Sequence, residues 1–181
     1  MVNDNQLLHA AIHEAGHALM HYLIDGNLNN IKSIEIYTGK YTGEGFCRTQ
    51  EDSSLPPSFY DNKIFWFNLF CIHLAGVYAE AKFFQEEINQ GILSYELNIF
   101  GNTPEVYKIC HLLEKNNLNI TNYQYTLNSA ESFVDKEFSE SKNLSIIHDI
   151  ANLILGKEDK HNAKIAYPSE IMDVIKKYNN M

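Results

Sequence analysis

The sequence predicts a mainly helical single domain with one small β element. Apolar residues recur at three- and four-residue spacing through most of the chain, the signature of helices with one buried face. Only the glycine-punctuated stretch near residues 32–50 alternates polar with apolar residues, as a half-buried strand pair does. The length of 181 residues, with 45% hydrophobic and 20% charged content, suits one core, and no repeat or low-complexity linker divides the chain. Residues 1–181 are therefore read as one domain.

In chain order, residues 5–24 form the first helix. Leu8, Ile12, Ala15, Leu19 and Leu23 line one face, and Asp25-Gly26 supplies the stop. "KSIEIY" at 32–37 alternates, and "FCRTQ" resumes the pattern after glycines 39, 43 and 45, predicting a hairpin or a bulged pair of short strands. Leu55-Pro56-Pro57 breaks the chain ahead of a long apolar helix reaching about Gln85. "GNTPEVYKICHLLEK" opens a helix with Thr103 as N-cap and Pro104 at its first position. Further helices follow at roughly 121–138, over "NLSIIHDIANLIL" ending at Gly156, and over "YPSEIMDVIKKY".

Composition excludes some functions. A net charge of −9 disfavours unspecific binding to nucleic acid or anionic membranes, both polyanions. Cys47, Cys71 and Cys110 are far apart and form no CxxC, so neither a disulfide framework nor a cysteine zinc site is expected. They fit a reducing compartment. The N-terminus lacks the basic and apolar regions of a signal peptide. The most apolar run, residues 64–79, is short for a bilayer span and contains Asn68 and His73. It is read as a buried helix, and the chain as cytoplasmic without membrane insertion.

The first helix carries "HAAIHEAGHALMH", with His9, His13, His17 and His21 four residues apart. On a straight helix each such step over-rotates by about 40° and rises about 6 Å, so His9 and His21 would lie roughly 18 Å apart. One zinc, with bonds of about 2 Å, can be held only by a neighbouring pair. Spacing allows three pairs, and chemistry selects among them. Hydrolysis needs a base beside the metal-bound water, which H-E-x-x-H provides by placing Glu directly after the first ligand. Only His13 is followed by glutamate, so His13 and His17 are the candidate ligands and Glu14 the general base. His9 and His21 are expected to flank the site or face solvent. Such a motif also arises by chance on amphipathic helices. Against chance stands Gly16, which costs about 1 kcal/mol of helix propensity and suggests, with Ala15, close packing against another helix.

Catalytic zinc takes a third protein ligand and leaves a position for water. His73 and Glu80 on the apolar helix, and Glu96, Glu105 and His111 near the "NTPE" helix start, are within the field. His73 also reads as a hydrogen-bonded core histidine, and Glu105 as an acid favoured in a first helical turn. The residues themselves leave Glu80 and Glu105 both open.

"IHEAGHAL", the short strand with its glycine turn, "HLAGVYAEAKFF" and "GNTPEVYKI" resemble, in that order, the peptidase domain of FtsH-type ATP-dependent zinc proteases. The likeness covers about residues 7–115 and continues more weakly through "NLSIIHDIANLIL". That domain has HEAGHA on its first helix, then an edge strand, a Leu-x-Gly-Arg-x-Ala-Glu helix and a Gly-Ala-x-x-Asp segment bearing the third ligand. The resemblance implies that His13 and His17 bind Zn2+, that Glu14 is catalytic, and that Glu105, four residues after Gly101, is the third ligand. It implies that Glu80 of the Ala79-Glu80 pair supports the site, and that residues 33–37 are the edge strand beside it. Glu105 replaces the family's aspartate, Val77 its arginine, and the stretch between Glu80 and Gly101 is longer.

The implied activity is zinc-dependent hydrolysis of peptide bonds in unfolded proteins or peptides by a metal-activated water. Substrate would lie extended beside residues 33–37 as an added strand. The alternative is a catalytically silent peptidase-fold protein that binds peptides or a protein partner. The relatives fuse this domain to membrane helices and an ATPase. Neither occurs within these 181 residues, so the expectation is a stand-alone peptidase domain, with a separate ATPase or unfoldase as a possible partner. The relatives' hexameric state is not carried over, because the ATPase largely drives that ring.

Overall fold

The computed structural model describes residues 4–49, 63–88 and 120–179. Among these are five helices and a three-stranded antiparallel sheet: α1 (Asp4–Asp25), β1 (Ile31–Tyr37), β2 (Gly45–Thr49), α2 (Lys63–Phe84), α3 (Ile120–Ser139), α4 (Ser141–Leu155), β3 (Ala163–Ala166) and α5 (Pro168–Asn179). The mainly helical reading with a small β element holds. The helix expected from "GNTPEVYKICHLLEK" lies outside the described residues, as does the Leu55-Pro56-Pro57 break.

α1 is the central element, packed by α2 on one side, α4 on another and the sheet on a third. Ile12, Ala15 and Leu19 are fully buried, as the helical spacing requires. Gly26 ends the helix with φ +70°, and its N–H bonds the Tyr22 carbonyl at 2.8 Å, the left-handed cap that glycine permits.

β1 turns Ile34 and Ile36 into the core. The β1–β2 connection is bulged. Gly43, at φ +89°, and Glu44 both bond Tyr37: the Tyr37 N–H reaches the Glu44 carbonyl at 2.9 Å, and the Gly43 N–H reaches the Tyr37 carbonyl at 3.3 Å. The pairing Ile36↔Gly45, Glu35↔Phe46 and Ile34↔Cys47 follows.

The edge-strand expectation for residues 33–37 is corrected. β1 is the central strand, with β2 on one side and β3 on the other in the order β2-β1-β3. β3 comes from far along the chain and pairs Ile34↔Ala166 through Tyr37↔Ala163. Its four residues are too few for a period-2 pattern to show. Lys164, on β3, donates from Nζ to the carbonyls of Leu155 (2.8 Å) and Lys157 (2.7 Å), covering the end of α4. Among the described residues, the unpaired edge next to α1 belongs to β2.

α2 is long and apolar enough to cross a membrane by length and composition. In this fold Trp66, Phe70, Cys71, Leu74, Ala75 and Ala79 are buried in the common core. α2 ends in a Schellman turn: Gln85 takes φ +57° and the Glu86 N–H bonds the Ala81 carbonyl at 3.0 Å.

The expected close approach at Gly16 is present. A Cβ there would lie 2.6 Å from Ala79 Cβ and 2.7 Å from the Ala75 carbonyl oxygen. Backbone cannot yield as a flexible side chain can, so the helices must separate to admit a methyl group. Gly16→Ala should therefore lower stability by about 1 kcal/mol or more, the overpacking cost exceeding the gain in helix propensity. Urea unfolding measures this, and an unchanged or more stable variant would show that the contact is slack.

Candidate metal centre

α1 and α2 meet in antiparallel register along two ladders of four-residue steps. His9 stacks on Phe84, with ring centroids 3.9 Å apart and planes 16° apart. His13 meets Glu80 and Gly76, and His17 meets Ile72. Residues 9, 13 and 17 thus ascend α1 while 84, 80, 76 and 72 descend α2.

Each ring of the His13–His17 pair is anchored at Nδ1. His17 Nδ1 lies 2.7 Å from the Ile72 carbonyl oxygen. A carbonyl can only accept, so this nitrogen carries a proton, and in the neutral ring Nε2 keeps its lone pair. Gly76, one turn along α2, puts no side chain over that carbonyl. His13 Nδ1 lies 2.7 Å from Glu80 Oε1. Burial pushes the Glu80 carboxyl upward, but the hydrogen bond and charge of His13, and then those of His9, outweigh it and hold it below the usual range. The ionised carboxylate accepts, so His13 Nδ1 also donates.

Gly76 makes the His13 position possible. A Cβ at Gly76 would lie 2.3 Å from His13 Nε2 and 2.5 Å from both Cδ2 and Cε1. Near-equal distances to these three atoms place that point over the ring face, not in line with the Nε2 lone pair. The two imidazoles have centroids 4.8 Å apart and planes 73° apart. Two imidazoles sharing one tetrahedral zinc through bonds of about 2.05 Å have centroids about 5 Å apart, so the ring spacing is compatible with one ion.

Glu14 is buried on the neighbouring face of α1, under β2. A Cβ at Gly45 would lie 2.6 Å from Glu14 Cγ and 2.8 Å from its Oε1, so only glycine there leaves the carboxylate its place. Burial first, and then the Glu14 charge, push the Cys47 thiol well above its usual range, which keeps it protonated.

Glu80 is not positioned as a ligand beside Nε2. Its two oxygens serve His13 Nδ1 and His9 Nδ1, the latter at 3.0 Å. Glu105 lies outside the described residues, together with Glu96 and His111. Among the described residues, no third His, Cys, Asp or Glu joins His13 and His17 in a group able to hold a metal.

His9 and His21 depart from a simple flanking role. His9 bonds Glu80, which sequence spacing could not show because the partner is 71 residues away. His21 is buried, and among the described residues its Nδ1 has no hydrogen-bond partner. Compared with known proteins, the chain matches no family model and no curated protein.

His21 makes a pH prediction. Burial lowers its pKa below the usual histidine value, opposed by Asp25 and reinforced by His73. Between that usual value, about 6.5, and the lower folded one, the unfolded chain holds a proton that the folded chain lacks. Stability should therefore fall with falling pH in this window, by at most about 1.4 kcal/mol per pH unit from this group. His21→Phe should flatten that part of the profile in urea unfolding across pH 5–7. An unaltered slope would locate the dependence elsewhere.

Proposed function

We propose that the chain is a zinc-dependent peptidase acting on unfolded proteins or peptides. His13 and His17 hold the metal through Nε2, Glu105 completes the ligand set, and Glu14 is the general base. The observation that carries the reading is the fixing of both motif histidines at Nδ1, by Glu80 and by the Ile72 carbonyl. Second partners of this kind orient metal-binding histidines and set their tautomer. The ordered resemblance to FtsH-type peptidase segments supports the same reading and supplies Glu105.

Zinc at this position contributes Lewis-acid polarisation of the scissile carbonyl and an acidified water. The chain's own residues then handle the proton. Glu14 takes it from the attacking water as the oxygen adds to the peptide carbonyl carbon, and returns it to the leaving amine as the C–N bond breaks. Its burial beneath β2 keeps bulk water from competing for that proton.

The substrate strand belongs beside β2. Tyr37 is hydrogen-bonded to Glu44, so by antiparallel alternation Gly45 and Cys47 occupy non-hydrogen-bonded pairs with β1. Their N–H and C=O groups face the open edge, beside the element that covers Glu14. A peptide pairing there is read through main chain, which suits unfolded segments of varied sequence.

Cleavage of reduced, alkylated casein, followed by mass spectrometry, tests the activity. Wild type should cut; Glu14→Gln should retain one zinc per chain and lose turnover at least about 100-fold; His17→Ala should lose both. Turnover by Glu14→Gln would remove it as base, and a chelator-free wild type without zinc would sink the reading. If zinc is bound and nothing is cut, the silent peptide-binding alternative takes its place. Strand addition has its own test. Cys47→Pro deletes an outward N–H without breaking the β1 ladder, and should raise KM several-fold, as loss of one hydrogen bond worth about 1 kcal/mol does. An unchanged KM would move the substrate off this edge.

A further inference from the structure

We infer that His9 is a positioning residue for the metal centre, acting on His13 through a shared carboxylate. The inference rests on the reading of His13 as a ligand, but its evidence is separate. Glu80 bridges the two rings: Oε1 is 2.7 Å from His13 Nδ1 and Oε2 is 3.0 Å from His9 Nδ1. His9 is in turn clamped face to face on Phe84, one helical turn beyond Glu80.

The physical argument concerns rotation. A glutamate with one oxygen engaged can swing about its last side-chain bond, which is broad and roughly two-fold in its preference. With the second oxygen tied to a ring that is itself stacked, the carboxylate plane is fixed. Oε1 then holds a proton on His13 Nδ1, so that in the neutral ring Nε2 is the lone-pair nitrogen. The His13 ring lies against the α2 backbone at Gly76, and the hydrogen bond to Glu80 fixes which ring nitrogen donates to that helix. His9 thus extends the support of His13 from one partner to a chain of two, ending in an aromatic stack. His17, whose partner is a helical carbonyl that cannot rotate, has no need of such an extension.

Two substitutions separate the hydrogen bond from the stack. His9→Phe keeps an aromatic ring on Phe84 and removes the donor. His9→Asn returns an N–H at the place of Nδ1. In metal-free protein, long-range 1H–15N NMR at alkaline pH reads the His13 tautomer directly. Wild type and His9→Asn should show one form, protonated at Nδ1, and His9→Phe a mixture. Zn(II) affinity by chelator competition should fall about tenfold in His9→Phe and recover to within about threefold in His9→Asn, the size expected for an outer hydrogen-bond partner. Circular dichroism confirms that both variants are folded. A single His13 tautomer in His9→Phe, or wild-type Zn(II) affinity there, would overturn the inference while leaving the metal site standing. If wild type takes up no Zn(II), the metal reading fails, and the tautomer measurement still decides whether His9 holds His13 through Glu80.

Discussion

The close approach of α1 and α2 at Gly16 is the constraint from which the site follows. Gly16 lets α1 settle against Ala75 and Ala79, where a single methyl group would strike backbone. At that separation, a histidine on α1 reaches across to α2 with its first ring nitrogen, and its second is left on the far side of the ring. A wider gap would put Ile72 and Glu80 out of hydrogen-bond range of His17 and His13. The small residues are thus part of the chemistry, because they set the reach of the groups that perform it. Gly76 adds a second allowance, giving the His13 ring room to lie across α2.

The sheet depends on the same helix from the other side. Ile34 and Ile36 of β1 pack into the core that α1 organises, and β2 follows β1 by register. Gly45 falls over Glu14 because the bulge at Gly43 fixes that register. β3 and α4 matter to the site at one remove. β3 occupies the other side of β1, and the Lys164 ammonium ties that strand to the end of α4. Closing that side leaves β2 as the open edge next to Glu14 among the described residues. The geometry of the first third of the chain is therefore completed by its last twenty or so residues.

What the sequence disclosed and what it hid divide along contact distance. His13, Glu14 and His17 are legible because the motif is local, and the helix beneath it is announced by four-residue periodicity and by Gly26. Gly16 is legible as a cost without a local benefit. Glu80 stood as one of several acids, since nothing in sequence says which oxygen meets which nitrogen across 67 residues. His9 and His21 read alike as flanking the site or facing solvent for the same reason, although His9 bonds Glu80 and His21 is buried. The edge-strand expectation came with the family resemblance. The alternating pattern could not correct it, because a central and an edge strand with one buried face share that pattern and β3 is too short to declare itself. Tertiary pairing, which periodicity cannot encode, decided each of these.

The Glu80 cluster is also costly in a way that bears on function. A carboxylate between two helices loses hydration, and such buried ionic groups add little stability compared with apolar residues of the same volume. An apolar side chain at 80 would carry no such desolvation cost. Instead the carboxylate is held ionised by two histidines, against the upward push of burial. Groups whose protonation is fixed against their environment concentrate at sites where a particular tautomer or charge has work to perform. Here the consequence is confined to one atom, the lone pair on His13 Nε2, and His17 reaches the same state through a different acceptor. Two neighbouring histidines brought to one tautomer by unrelated partners make a preorganised pair of donors. That convergence, more than the motif by itself, supports the proposed metal site.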